Sequence, residues 1–61
     1  MTLLQWRKSK KMSRAELAKL LGLSNPTVIY RYETGARVPR PEIMKRIVQL
    51  TKGEVSANDF F

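Results

Sequence analysis

Between Gly22 and Gly35, the residues Thr27, Tyr30, Arg31 and Thr34 recur at a spacing that an α-helix would gather on one side. Their chemistry suits the edge of a nucleic-acid base. An arginine can pair bidentately with guanine, a threonine can meet a base edge or a thymine methyl, and a tyrosine offers a ring and a hydroxyl. Ile29 and Tyr32 fall on the opposite side and are expected to face a core. Asparagine is a strong N-cap and proline is favoured at the first helical position, so Asn25-Pro26 predicts a helix over about 26–34 that stops at Gly35. The following "ARVPRP" is extended, because a residue before proline is pushed out of the helical region. On it, Arg37 and Arg40 are candidate phosphate contacts.

Other chemistries find little support. The chain has no histidine and no cysteine, its acids are scattered, and there is no glycine-rich phosphate loop. No catalytic residue, metal ligand or cofactor is expected, nor is a small-molecule ligand, and the sequence argues against an enzyme. Charge points toward a polyanionic partner: 12 lysines and arginines stand against 5 acids, for a net +7. Arg7, Lys8, Lys10, Lys11 and Arg14 all precede the first acid, Glu16. Composition alone leaves a solvated basic face, an anionic membrane surface and a nucleic acid open. The longest uncharged run, "LLGLSNPTVIY", is too short and too broken to span a bilayer. The N-terminus lacks the order of a secretory signal, and the absence of cysteine fits a reducing compartment, so a cytoplasmic location is expected.

The elements that must position these residues are short helices. A chain of 61 residues is expected to form one domain over 1–61. Thr2-x-x-Gln5 reads as a capping box, after which Leu3, Trp6 and Arg7 share a face. A second box, Ser13-x-x-Glu16, opens a helix carried by Ala15, Leu17, Ala18, Leu20 and Leu21 to a stop at Gly22. Pro41 at the first helical position and Glu42 beside the helix dipole begin the last long helix. Ile43, Ile47 and Leu50 supply its buried stripe, Met44 and Val48 flank it, and Gly53 ends it. Val55 and Phe60 are expected to pack back on the core, with Ser56 capping a final turn. Trp6 and Tyr32 read as core aromatics rather than base-stacking platforms, whereas Tyr30 is open to either role. Lys45 and Arg46 read as solubilising charges. The fold class is all-α.

A helix, a tight turn and a helix with a polar outer face form a helix-turn-helix candidate. Here the stretch "MSRAELAKLLGLS…TVIYRYETGARVP" resembles the phage Cro and repressor (Xre-like) family, over Leu3 to about Leu50. The resemblance implies a compact lambda-repressor-like bundle of four or five helices. It also implies that the recognition helix, about 26–34, enters the major groove of double-stranded operator DNA, commonly as a homodimer, to regulate transcription. The family usually has glutamine just after the second helix's cap, where it touches a phosphate; this chain has Arg14. The interval from Gly22 to Glu33 is one residue longer than the family's, which places the extra residue in the turn. Family members pair an arginine on the first helix with a glutamate late in the recognition helix, so Arg7 and Glu33 are expected to form a partly buried ion pair. The DNA-binding set is then Arg14, Asn25, Thr27, Val28, Tyr30, Arg31, Thr34, Arg37 and Arg40.

The expected function is sequence-specific DNA binding with repression at an operator. The alternative is a protein-interaction module, such as an antitoxin or adaptor, that uses the same surface. A cationic helix lying on lipid fits poorly, since the apolar residues are divided among several capped helices. Met44, Val48, Val55 and Phe61 are the candidate dimer-interface residues.

Overall fold

Side-chain caps open the first two helices, and left-handed residues close the third and fourth. The computed structural model describes residues 1–60, with α1 over Leu3–Ser9, α2 over Arg14–Leu20, α3 over Thr27–Thr34, α4 over Pro41–Thr51 and a closing 3₁₀ turn over Ala57–Phe60. Phe61, expected at a dimer interface, lies outside the described residues. At α1 the capping box forms as expected: Thr2 Oγ1 accepts from the Gln5 N–H at 3.2 Å, and Gln5 Oε1 accepts from the Thr2 N–H at 2.9 Å. At α2 only half of the expected box forms. Ser13 Oγ accepts from the Glu16 N–H at 3.1 Å, but the Glu16 carboxylate accepts from the Ser13 hydroxyl rather than reaching the backbone.

The recognition-helix candidate begins one residue later than expected. Pro26 occupies the cap position, with helical dihedrals, and Asn25 Oδ1 accepts from the Thr27 N–H at 2.9 Å. The Pro26 carbonyl is met more closely by Ile29 N–H, at 3.0 Å, than by Tyr30 N–H, at 3.4 Å. The opening turn is therefore wound tightly, in 3₁₀ fashion, and the asparagine caps it from one residue further out. Residues 21–26 connect α2 to α3, long enough to bring both Ile29 and Tyr32 inward.

The core joins Leu3 and Trp6 of α1, Leu17 and Ala18 of α2 with Leu21 at its end, Ile29 and Tyr32 of α3, Ile47 of α4, and Val55. Burying an aliphatic or aromatic side chain of this size contributes about 1.5–3 kcal/mol. Of the residues that carry α2, Ala15 and Leu20 are exposed, because the helix turns that side outward. Ile43 and Leu50 are only half-buried, which leaves Ile47 as the centre of the α4 stripe. Val55 is fully buried and so is removed from the proposed interface residues.

Thr51 explains that burial. It is 2 % exposed; its hydroxyl donates to the Ile47 carbonyl at 2.8 Å and accepts from the Val55 N–H at 3.2 Å. The chain after α4 is thus stitched to the helix it leaves. Phe60 then meets the Tyr32 ring edge-on, with centroids 6.5 Å apart. The final turn is closed by Asp59 rather than by the Ser56 side chain: Asp59 Oδ2 accepts from the Ser56 N–H at 2.8 Å. That backbone donor holds the Asp59 carboxyl below its ordinary range.

Arg46 proves structural rather than merely solubilising. Its Nη1 donates to the Leu21 carbonyl at 2.9 Å, closing the C-terminal end of α2 from the distant α4. Glycine is favoured beneath it by the backbone, and any larger residue would also push the guanidinium aside. Gly22 has φ +73°, and a Cβ there would lie 2.7 Å from Arg46 Nη1.

Candidate nucleic-acid interface

Successive residues of α3 are turned by about 100°, so its sides can be assigned from burial. Ile29 and Tyr32 are buried, at 0 % and 7 % exposure. Thr27, Tyr30, Arg31 and Thr34 are all exposed, and together they make one outward row as expected. Val28 departs from this set. It is half-buried and packs on the core, at the margin between the two sides. Asn25 is exposed, but its carbonyl oxygen is engaged in capping, so the amide nitrogen is the group it can offer a partner.

Beyond the Val28 margin lies a shallow groove of about 200 Å³, lined by Leu23, Val28, Tyr32, Arg37, Arg40, Glu42 and Ile43. Arg37 and Arg40 are both exposed, while Pro39 between them is buried and holds the extended loop against the body. These cations therefore border the outward row on the side of Val28.

The opposite margin is organised by Glu33, whose side chain is only 2 % exposed. Its Oε2 accepts from Arg7 Nε at 2.6 Å, and its Oε1 accepts from Arg14 Nε at 2.9 Å. Arg7 also donates through Nη1 to the Met12 carbonyl at 3.0 Å. One carboxylate thus links α1, α2 and α3, each of its oxygens matched to a separate guanidinium. The expected Arg7–Glu33 pair is present and shielded, the Arg7 side chain being 12 % exposed. Arg14 is different in kind. Its side chain is 43 % exposed, and its guanidinium carbon lies 5.0 Å from the Tyr30 ring centroid, within the range of a cation–π contact.

Two of these relationships have no counterpart in the sequence pattern. The place of Arg14 in the resembled family points to a phosphate and gives no sign of Glu33 or Tyr30 as its neighbours. The available signal was an arginine standing where the resembled family has glutamine, in a protein whose α3 carries Glu33 as its acid. Arg46 on Leu21 had no local signal. Among the described residues no group of acidic side chains is placed to hold a metal ion, and no helix is long and apolar enough to cross a membrane.

A family model described as helix-turn-helix matches residues 3–56. No curated protein and no solved structure gives a match. The chain belongs to this helix-turn-helix family, of the Cro and Xre type, which consists of DNA-binding regulators rather than enzymes.

Proposed function

We propose that this protein lays α3 in the major groove of an operator, reads its sequence with Arg31, Tyr30, Thr27 and Thr34, and represses transcription by occupying the site. The observation that carries the reading is the exposed row on α3, bordered by Arg14 along one margin and by Arg37 and Arg40 along the other. A major groove presents base edges between two phosphate backbones, so a polar row between cationic margins matches it in both chemistry and layout. Val28 serves the helix by packing. Its methyl groups are at most a rim contact for a thymine methyl.

One recognition helix gives a small footprint, and a symmetric pair on half-sites about one helical turn apart is the usual remedy. Among the described residues Met44 and Val48, half-buried on α4, are the interface candidates. Such a protein would work at the chromosome, in the cytoplasm.

The test is selection of bound duplexes from a random pool, followed by anisotropy titration of the winner and a scrambled duplex at several salt concentrations. A two-fold symmetric winner, bound about a thousandfold better than scrambled DNA, supports the reading. Equal affinity for every duplex overturns sequence-specific reading. Affinity that ignores salt overturns DNA as the partner and favours a protein-interaction module, since neutralising Z phosphates gives a log–log slope near −0.9Z.

A further inference from the structure

We infer that Arg14 is a positioning residue for base reading: anchored by Glu33, it fixes the Tyr30 ring, so that backbone contact and base contact on that margin belong to one rigid unit. The inference rests on the DNA-reading role proposed above.

The guanidinium of Arg14 is held at two places. Its Nε–H is taken by Glu33 Oε1 at 2.9 Å, and its Cζ lies over the Tyr30 ring, 5.0 Å from the centroid. It cannot swing without giving up one of them. Among the described residues its Nη groups have no hydrogen-bond partner, which leaves a forked pair of donors for a phosphate oxygen.

Glu33 is a fixed anchor. Its other oxygen is held by Arg7 at 2.6 Å, and its side chain is 2 % exposed. Tyr30, by contrast, stands on the outward row with 51 % of its surface exposed. Without a neighbour to hold it, such a side chain gives up rotamer freedom on binding, which weakens association. Contact with Arg14 removes much of that freedom in the unbound protein. Order therefore runs from the buried Arg7–Glu33 pair through Arg14 to Tyr30, which makes Tyr30 a specificity-determining residue and Arg14 the one that sets its pose. A lysine could supply the charge but not the planar face.

The experiment compares base preference at each operator position, and the salt slope, for the wild-type protein, Tyr30→Ala, Arg14→Gln, Arg14→Lys and the Arg14→Gln/Tyr30→Ala double variant. Thermal unfolding verifies that each is folded. Tyr30→Ala identifies the base pair that the ring reads. We expect Arg14→Gln to relax discrimination at that same pair by about fivefold or more, the low end of what one base pair is worth. It should also reduce the salt slope by about 1, with the double variant relaxing no further. Arg14→Lys should keep the slope and still lose the preference, a separation that loss of charge alone does not produce.

If Arg14→Gln and Arg14→Lys retain the wild-type preference at the Tyr30 pair, Arg14 acts only on the backbone and the inference is overturned while DNA reading stands. If the wild-type protein selects no sequence, the functional reading itself fails and takes this role of Arg14 with it.

Discussion

Arg46 Nη1 stands 2.9 Å from the Leu21 carbonyl oxygen, so a cation on α4 closes the end of α2 just before the turn into α3. The contact adds a polar tie between α4 and α2 to the packing of Ile47 in the core. Arg46→Ala is expected to destabilise the fold by about 1 kcal/mol, since the guanidinium is exposed and solvent screens its hydrogen bond. Gly22→Ala is expected to cost more than an ordinary loop substitution, through both its positive φ and its collision with Arg46. In the Arg46→Ala background the collision is gone and only the backbone strain persists. Urea unfolding of the two single variants and the double should show this as a clear departure from additivity.

Arg7 and Arg14 share one carboxylate but should differ sharply in their effect on stability. Arg7→Met leaves a nearly buried carboxylate with only its more exposed partner and is expected to cost about 1–3 kcal/mol, less than a fully stranded charge because Arg14 still holds one oxygen. Arg14→Gln removes the partner that is 43 % exposed, and solvent screening should keep its cost below about 1 kcal/mol. Chemical denaturation measures both. Equal losses would mean that the two arginines are equivalent supports, contrary to their burial.

On DNA the outward row and the loop should separate in kind. Arg31→Ala is expected to weaken binding by about 1–3 kcal/mol and to relax specificity at a single position, as a base contact does. Arg37→Gln is expected to weaken binding to all duplexes alike and to lower the salt slope by about 1. Titrations on the selected and scrambled duplexes, repeated over a range of salt, distinguish the two patterns. A change of base preference in Arg37→Gln would move that residue from backbone contact to base reading.

The Asp59 carboxyl is held below its ordinary value of 3.8 chiefly by the Ser56 backbone N–H. A group whose folded pKa is depressed stabilises the fold above its unfolded pKa, and that stabilisation is lost as pH falls through the folded value. The closing turn should therefore loosen in acid, below the ordinary value. Asp59→Asn should remove this part of the acid sensitivity, visible as a flatter dependence of Phe60 and Ser56 NMR shifts between about pH 5 and about pH 2. Identical titration of those shifts in the variant would assign the effect to another carboxylate.

What the sequence made legible was local. The capping box at Thr2 and Gln5 and the inward pair Ile29 and Tyr32 follow from spacings within a few residues, and the structure reproduces them. The Arg7–Glu33 pair was visible only through family resemblance, since the partners are 26 residues apart. Arg46 had no such guide: whether a helix-surface arginine dissolves in water or caps a carbonyl 25 residues away depends on how two helices cross. Val55 shows the converse. As an isolated apolar residue after α4 it suited either a core or an interface, and the Thr51 hydroxyl that draws its backbone inward lies outside any periodic pattern. Pro26 misled by a single residue because its fixed φ suits the cap of a tight opening turn as well as a first helical position.

The extended loop after α3 also gives the protein a built-in proteolytic reporter. Trypsin cuts after arginine but not before proline, so Arg40, which precedes Pro41, is protected by sequence, while the bond from Arg37 to Val38 is not. Exposed, non-helical backbone is where such nicks concentrate, whereas many of the other lysines and arginines lie in helices. A cut at Arg37 would part the first three helices from α4, giving two fragments that a mass spectrum resolves at once. Because Arg37 borders the surface assigned to the operator, the rate of that cut would fall as DNA covers it, and occupancy could be followed without labelling either partner.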